Sequence, residues 1–150
     1  MGCGVYSFTG ASIDPNVKTA SIGDIQLLAS VAPQRITFVL TEKLRNKIAN
    51  EAHLNIRANK ADLEYSGTIT GYMVEPVASG GGSQAQLNRL TVSLRMECNN
   101  NITKETWSQT FKQFENFDRN ANLSDVETQL IESITDRLTD EVFNRSFANW

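Results

Sequence analysis

The sequence predicts an α+β protein in which two helices pack on one face of a four-stranded sheet, in the chain order β-α-β-β-β-α. Two long segments carry apolar residues at helical spacing, and three long segments alternate apolar and polar residues. The chain has 150 residues, 40% of them apolar, which is enough for one domain with its own core. We expect residues 17–150 to form that domain and residues 1–16 to form a flexible segment before it.

The first strand and the first helix are predicted between residues 17 and 51. The run VKTASI (17–22) alternates in the manner of a short strand. Pro33 suits the first turn of a helix, because its missing N–H is not needed there. Apolar residues then recur at helical spacing, at Ile36, Val39, Leu40, Leu44 and Ile48. The predicted helix therefore spans about residues 33–51.

Three long strands are predicted to form an antiparallel meander over residues 63–114. They lie in ADLEYSGTITGYMVEPV (61–77), LNRLTVSLRMEC (87–98) and ITKETWSQTFKQFENF (102–117). Gly67 and Gly71 indicate bulges or close backbone contacts in the first strand, which we expect to end at Pro76. A Gly, Ser and Gln connector and the turn NNN (99–101) separate the strands. The alternation points Cys98 into the core.

The second helix is predicted over about residues 124–148. The sequence SDVE (124–127) matches a capping box, in which Ser124 caps the helix and Glu127 reaches back. One apolar stripe follows, made of Val126, Leu130, Ile131, Ile134, Leu138, Val142, Phe143 and Phe147. A stripe on one side of a helix predicts that this side packs against the sheet.

The outward-facing strand residues predict a polar face with scattered positive charge. They are Thr68, Thr70, Thr91, Ser93, Arg95, Lys104, Thr106, Ser108, Thr110 and Lys112. One interpretation is the solvated face of a half-covered antiparallel sheet. The other is a surface that fits against a polar wall or a phosphorylated ligand.

Composition and motifs argue against several classes of function. A formal charge of −3 and a pI near 5.2 do not favour a nucleic-acid binder. His53 is the single histidine, and its place near a helix end suggests a surface role. The run SGGGS lacks the Lys-Ser/Thr of a phosphate loop. We find no catalytic constellation and no metal or cofactor motif, so we expect a non-enzymatic protein.

The N-terminal sequence MGCGVYSFTG raises the question of what Cys3 does. A flexible chain end, a lipid attachment point and a metal or redox thiol are the alternatives. Two cysteines and one histidine make no metal cluster. A bridge from Cys3 to Cys98 would only tether a chain end. MGC also begins dually acylated proteins, but Tyr6 stands where their Ser or Thr is expected.

Several stretches taken together resemble the lipopolysaccharide-assembly lipoprotein family (LptE-like), in its Bacteroidota branch. They are CGVYSFTGASI, VKTASI, DLEYSGTITGYMVEPVA, LNRLTVSLRMEC, FENFD and the ending VFNRSFANW. The resemblance extends from Cys3 to Trp150, and it rests on the order of these stretches and on the two chain ends. The family's fold, two helices on a four-stranded sheet, agrees with the order predicted above.

The resemblance implies that Cys3 is the lipid attachment site. Gly2 and Cys3 match the last two positions of a lipobox, and family members are anchored by this cysteine on the periplasmic side of the outer membrane. Met1 stands where the apolar part of a signal peptide would be. We therefore expect that the signal has been removed, that residues 1–16 are a lipoprotein tether, and that the protein as given is soluble and unlipidated.

The resemblance also implies partners and a role. Family members plug an LptD-type β-barrel, support its assembly and assist lipopolysaccharide delivery, without nucleic acid. We choose Arg89, Arg95, Lys104 and Lys112 as candidate lipopolysaccharide contacts, because phosphate-rich lipid favours clustered cations. The alternative is an acylated peripheral protein or a small-ligand-binding protein unrelated to lipopolysaccharide transport.

Overall fold

The computed structural model describes residues 14–77 and 86–148. Its elements are β1 (Thr19–Ile22), β2 (Gln26–Leu27), α1 (Arg35–Lys47) with a π-helical turn (Ile48–Ala52), β3 (Asn55–Ile56), β4 (Leu63–Val77), β5 (Leu87–Asn100), β6 (Thr106–Asp118) and α2 (Leu123–Phe147). The α+β class and the two helices are confirmed. Most of the predicted flexible segment and connector, residues 1–13 and 78–85, lies outside the described residues.

The predicted number and order of strands were wrong. The sheet has six strands in the order β3-β1-β4-β5-β6, with β2 also paired to β4, and the chain order is β-β-α-β-β-β-β-α. The two strands that sequence analysis missed, β2 and β3, have two residues each. A two-residue strand is too short to show an alternating pattern. Both pair in parallel with a neighbour, so the sheet is mixed.

The antiparallel meander of β4, β5 and β6 is confirmed and forms the larger part of the sheet. The turn between β5 and β6 lies at residues 101–103 rather than 99–101, because Asn99 and Asn100 continue β5. β4 continues through Pro76 to Val77 and does not end at the proline. The predicted register of β5 is correct, since Cys98 is buried in the core.

The core lies between the sheet and the two helices. α1 contacts β1, and α2 contacts β5 and β6. The apolar stripe predicted for α2 faces this core, with Ile134, Leu138 and Val142 fully buried. These residues share one buried cluster with inward residues of the central strand, namely Leu90, Val92, Leu94, Met96 and Cys98.

The two helices run parallel to one another and are joined by ion pairs. Lys43 binds Glu132 at 2.9 Å and also Asp136, and Lys47 binds Asp140 at 3.2 Å. Burial lowers the pKa of Lys43, but its bonds to the two carboxylates outweigh that effect, so its pKa is raised. Every cation in this row belongs to α1 and every anion to α2. The ion pairs therefore fix the relative register of the helices more than they add to stability.

The predicted capping box at the start of α2 is wrong. The helix begins at Leu123, and its N-cap, Asn122, makes no side-chain capping bond. Glu127 instead accepts a hydrogen bond from the Tyr72 hydroxyl and lies 3.7 Å from the Arg35 guanidinium. Burial, followed by this bond, raises the pKa of Tyr72. Tertiary contacts thus hold the carboxylate that the local motif assigned to the cap.

Two threonines of α2 provide a matched test of buried hydroxyl groups. The Thr135 hydroxyl donates to the Ile131 carbonyl at 2.6 Å, whereas the buried Thr139 hydroxyl has no partner among the described residues. We expect Thr139→Val to raise the free energy of unfolding by about 1 kcal/mol and Thr135→Val to lower it by a similar amount. Urea denaturation of both variants measures this, and shifts of the same sign would contradict it.

A reciprocal clamp joins the starts of β1 and β4. The Asp62 carboxylate accepts hydrogen bonds from the backbone N–H groups of Lys18 at 2.8 Å and Thr19 at 3.2 Å. The Asp62 N–H donates in return to the Thr19 hydroxyl at 2.9 Å. The bond from Lys18, more than any other contact, lowers the pKa of Asp62 below its ordinary value of 3.8.

The clamp predicts a pH-dependent contribution to stability. A lowered carboxyl pKa stabilises the folded state above the unfolded value of 3.8, and this contribution disappears as the pH falls through the lower folded value. Wild type should therefore be more stable than Asp62→Asn at neutral pH, and the difference should shrink in acid. Urea denaturation across the pH range measures this, with Asp24→Asn in an exposed loop as the control. A difference that stays constant with pH would contradict the prediction.

Candidate functional site

The face of β4, β5 and β6 opposite the helices is mainly polar, with the exposed Met73 and Phe114 as apolar exceptions, and we call it the open face. The strand register places Thr68, Arg95 and Thr110 in one row and Ser66, Glu97 and Ser108 in the next. The side chains of these rows are exposed or half-buried, and no described element covers them. The polar face predicted from the alternation is therefore confirmed. Lys104 is an exception, because it lies in the β5–β6 loop with a φ of 69°.

Two glycines, Gly67 and Gly71, shape the middle of β4. The register between β4 and β5 shifts between Ile69 and Gly71, which confirms a bulge there. A Cβ atom at Gly67 would overlap the sulfur of the buried Met96, which confirms the predicted close contact. The extra residue of the bulge shifts the alternation by one position, so that the odd-numbered Met73 and Glu75 beyond it share the open face with the even-numbered Thr68 before it.

The strand register brings two of the four candidate cations near each other. Lys112 lies opposite Ser93, two residues before Arg95 on the neighbouring strand. Cross-strand diagonal neighbours of this kind are about 7–8 Å apart. Arg95 also forms an ion pair of 2.8 Å with Glu97. Arg95 and Lys112 are thus the only candidates that the fold places side by side.

Arg89 and Lys104 lie away from Arg95 and towards opposite ends of β5, although the Arg89 guanidinium reaches Phe114, two residues from Lys112 on the same face. Arg89 is six residues before Arg95 on β5, which corresponds to about 20 Å. Its guanidinium stacks on the Phe114 ring at 4.0 Å and donates to the Asn116 side chain at 3.0 Å. Lys104 lies beyond the opposite end of β5. The four cations are therefore spread along the sheet and do not form one cluster.

The cations of the open face are matched by carboxylates. Arg89, Arg95 and Lys112 share the face with four acidic residues, Glu64, Glu75, Glu97 and Asp118. The alternation that identified the cations also places Glu64 and Glu97 on this face, which sequence analysis did not weigh against them, whereas Glu75 lies there because of the bulge. The face is thus rich in hydrogen-bonding groups, and its three cations are outnumbered by its four carboxylates, so it has no excess of positive charge.

A cavity of about 210 Å³ lies beside the β5–β6 loop, below the end of α2. It is lined by Asp14, Leu63, Tyr65, Cys98, Asn100, Thr103, Glu105, Trp107, Arg145 and Ser146. The buried Tyr65 hydroxyl has no hydrogen-bond partner among the described residues. Burial raises the pKa of Cys98 to about 12, so that its thiol stays protonated at neutral pH and is a poor nucleophile.

The remaining candidates give no sign of a metal or catalytic centre. No group of three or more His, Cys, Asp or Glu that could hold a metal occurs in residues 14–77 and 86–148. His53 is exposed and directly follows the π-helical turn, as its predicted surface role requires. Neither of the two described helices has an apolar stretch long enough to cross a bilayer. Cys3 lies outside the described residues.

Two solved structures share this fold at low sequence identity. A minor lipoprotein from Acinetobacter baumannii has a TM-score of 0.50 and 16% identity, covering 87% of this chain and 93% of its own. The protein XCC0632 from Xanthomonas campestris has a TM-score of 0.61 and 11% identity, covering 88% and 87%. None of the curated proteins compared with this chain matches it.

The sequence itself matches a family model described as lipopolysaccharide-assembly (LptE) over residues 22–146. The match covers most of the chain, including both helices except the last residue of α2, and it confirms the resemblance drawn from the sequence stretches. Members of this family are outer-membrane-associated lipoproteins with a role in lipopolysaccharide assembly. The chain belongs to the lipopolysaccharide-assembly (LptE) family.

Proposed function

We propose that this protein is a non-enzymatic lipoprotein that fits inside an LptD-type β-barrel, supports its assembly and assists lipopolysaccharide delivery. The observation that carries this proposal is the open face, which is built from strands of 13 to 15 residues and left uncovered by the described elements. The lumen of an outer-membrane barrel is polar. The polar side chains of the open face can therefore exchange hydrogen bonds with the barrel wall, so that they are not buried without partners.

The balance of charges on the open face supports a contact with a protein wall. Serine and threonine hydroxyls both donate and accept hydrogen bonds, so they can pair with a varied polar lining. Arg95 is already paired with Glu97 at 2.8 Å, so its charge is partly neutralised before any partner binds. A strongly basic face would instead favour a polyanion as its main partner.

The membrane anchor in this proposal is Cys3, acylated on the periplasmic side of the outer membrane. Cys3 precedes the first described residue, Asp14, by eleven positions, and an extended chain of that length spans at most about 40 Å. Asp14 lies at the β5–β6 loop end of the domain, where it lines the cavity. The anchor therefore restricts this end of the domain to the neighbourhood of the membrane.

Co-expression of the full-length precursor with its cognate barrel tests the proposal. We expect a stable complex after detergent extraction, and the absence of a complex would overturn the proposal. Ser66→Trp places a bulky ring on the open face, and Ser124→Trp makes the same change on the exposed first turn of α2. We expect the first variant to lower the complex yield at least about tenfold, which corresponds to 1.4 kcal/mol.

The second substitution, Ser124→Trp, should leave the complex intact, since its side chain lies on the helix side of the domain. Thermal unfolding of both isolated variants confirms that each is folded before its complex yield is compared. Equal loss of complex in both variants would show that the open face is not the surface that contacts the barrel.

For the lipid, we propose that Arg89, Arg95, Lys104 and Lys112 contact the phosphate groups of lipopolysaccharide during delivery. Arg95 and Lys112 are the favoured pair, because two adjacent cations can share one phosphate. A photoreactive residue at position 95, 104 or 112 should crosslink to lipopolysaccharide in cells, with position 129 on α2 as the control. Labelling at none of the three positions would overturn this part of the proposal.

A small-ligand-binding protein is the second candidate function, and the cavity beside the β5–β6 loop favours it. Tyr65 lines a space of about 210 Å³, and its buried hydroxyl has no hydrogen-bond partner among the described residues. A bound metabolite that copurifies with wild type but not with Tyr65→Phe would support this function. A purified protein without any bound small molecule, together with a stable barrel complex, would rule against it.

A further inference from the structure

The outer edge of β6 is the longest uncovered backbone edge of the sheet. β6 is the last strand in the sheet order, and among residues 14–77 and 86–148 no strand pairs with its outer side. Its pairing with β5 runs from Thr106 to Asp118 without a register shift, and the strand contains no proline. Natural edge strands often avoid such a straight uncovered edge with bulges, prolines or short length.

Hydrogen bonds at the two ends of β6 show which of its backbone groups face outward. The Arg119 N–H donates to the Gln86 carbonyl at 3.1 Å, and the Asn100 N–H donates to the Glu105 carbonyl at 2.8 Å. Both bonds join directly opposed residues, and Glu105 and Arg119 are both odd-numbered. Because hydrogen-bonded pairs alternate in an antiparallel ladder, the odd-numbered residues of β6 bond to β5 and the even-numbered ones face outward.

Four consecutive outward-facing positions have no described partner for their backbone. They are Thr106, Ser108, Thr110 and Lys112, and all four are exposed. The next outward position, Phe114, has its carbonyl occupied by the Arg137 guanidinium of α2. The stretch from Thr106 to Lys112 therefore offers four N–H and four C=O groups to an added strand, and we call it the free edge.

Cations lie on both sides of the free edge. Lys112 projects on the open face, and Arg145 of α2 lies on the helix side, where it binds the Gln109 side chain at 2.9 Å and stacks on Trp107 at 4.6 Å. Neither cation forms an ion pair within the described residues, although Glu141 lies one turn before Arg145 on α2. A strand added here would have one face near Lys112 and the other near Arg145.

We propose that the free edge of β6 binds an extended, carboxylate-bearing segment of a partner protein as an added strand. The backbone groups of the edge provide the ladder of hydrogen bonds, and the two cations select acidic side chains on either face of the segment. The wall of a closed barrel cannot be this occupant, because its strands have no free edge. The occupant must instead be a loop or terminal segment, and the proposal does not depend on the barrel contact proposed above.

A proline substitution in the free edge tests whether its backbone pairs with an added strand. Thr110→Pro removes an outward N–H but no bond to β5, so the fold should tolerate it. Thr110→Ala keeps that N–H and serves as the matched control. The probe is a fluorescein-labelled peptide, VEVTVEV, and its binding is followed by fluorescence anisotropy. We expect Thr110→Pro to weaken binding at least about tenfold and Thr110→Ala to change it less than about twofold.

A charge swap provides a second test that does not rely on the proline variant. Wild type should prefer VEVTVEV to VKVTVKV, and Lys112→Glu should reduce or reverse that preference. Equal binding of the two peptides, or no effect of either substitution, would overturn the proposal.

Crosslinking in cells identifies the natural occupant. A photoreactive residue at position 108 of the full-length lipoprotein should crosslink to an acidic extended segment of another protein, and Thr110→Pro should abolish that product. Crosslinks that map to residues 4–12 of the same chain, or to a second copy of it, would overturn the proposal. Because Ser108 also lies on the open face, a crosslink to the barrel that persists in Thr110→Pro reports the barrel contact, and only a product that Thr110→Pro abolishes reports binding to the free edge.

Discussion

Replacing Leu138 by alanine is expected to lower the free energy of unfolding by about 2–5 kcal/mol. Leu138 lies at the centre of α2 with none of its side chain exposed, in the cluster shared with the inward residues of β5. Removing its isobutyl group loses the transfer energy of the missing atoms and leaves a cavity that the packed neighbours fill only in part.

Chemical denaturation measures this loss, and Gln129→Ala on the exposed side of the same helix is the control. The control should change stability by less than about 0.5 kcal/mol, because surface substitutions away from special contacts rarely do more. A loss below about 1 kcal/mol at Leu138 would mean that α2 does not pack on the sheet as described.

The second large effect is expected where β4 and β5 meet at Gly67 and Met96. A methyl group at Gly67 would overlap the Met96 sulfur, and Met96 is fully buried. We expect Gly67→Ala to cost about 1–3 kcal/mol through overpacking, and Met96→Ala to cost about 2–5 kcal/mol through cavity formation. The double variant should cost less than the sum by at least about 1 kcal/mol, because the added methyl group fills part of the space that Met96 leaves.

A double-mutant cycle by urea denaturation measures this coupling. Gly71→Ala combined with Met96→Ala is the matched control, because a methyl group at Gly71 would meet Ser93 on the open face and not Met96. The control pair should be additive within about 0.5 kcal/mol. Strict additivity for Gly67 and Met96 would contradict the close contact between them.

Part of the candidate site could be predicted from the sequence because alternation decides which face a strand residue occupies. Thr68, Arg95 and Lys112 were assigned to the polar face on this basis, and the structure places them there. Their distances from one another could not be predicted in the same way. Distances between strands depend on cross-strand register, which places Lys112 diagonally opposite Arg95, whereas the separation of Arg89 and Arg95 follows from their positions on one strand.

The lipid attachment at Cys3 came from resemblance alone, and it remains a prediction together with the roles of the four cations. No periodic pattern distinguishes an acylated cysteine from one at an ordinary chain end. The free edge of β6 also could not be predicted from the sequence, because whether a strand lies at the edge of a sheet depends on the order of all its strands. Only the sheet order showed that β6, and not β4 or β5, has that position.

The sequence by itself determined the long elements of this protein and which side of each one is buried. The apolar stripe of α2 and the alternation in β5 extend over many residues, so each pattern is repeated often enough to outweigh local exceptions. Tertiary structure alone decided three features. They are the two-residue strands β2 and β3, the hydrogen bond of Glu127 to Tyr72 in place of a helix cap, and the position of Lys112 beside Arg95 on the neighbouring strand. Each of these depends on contacts between residues far apart in the chain, which no local pattern encodes.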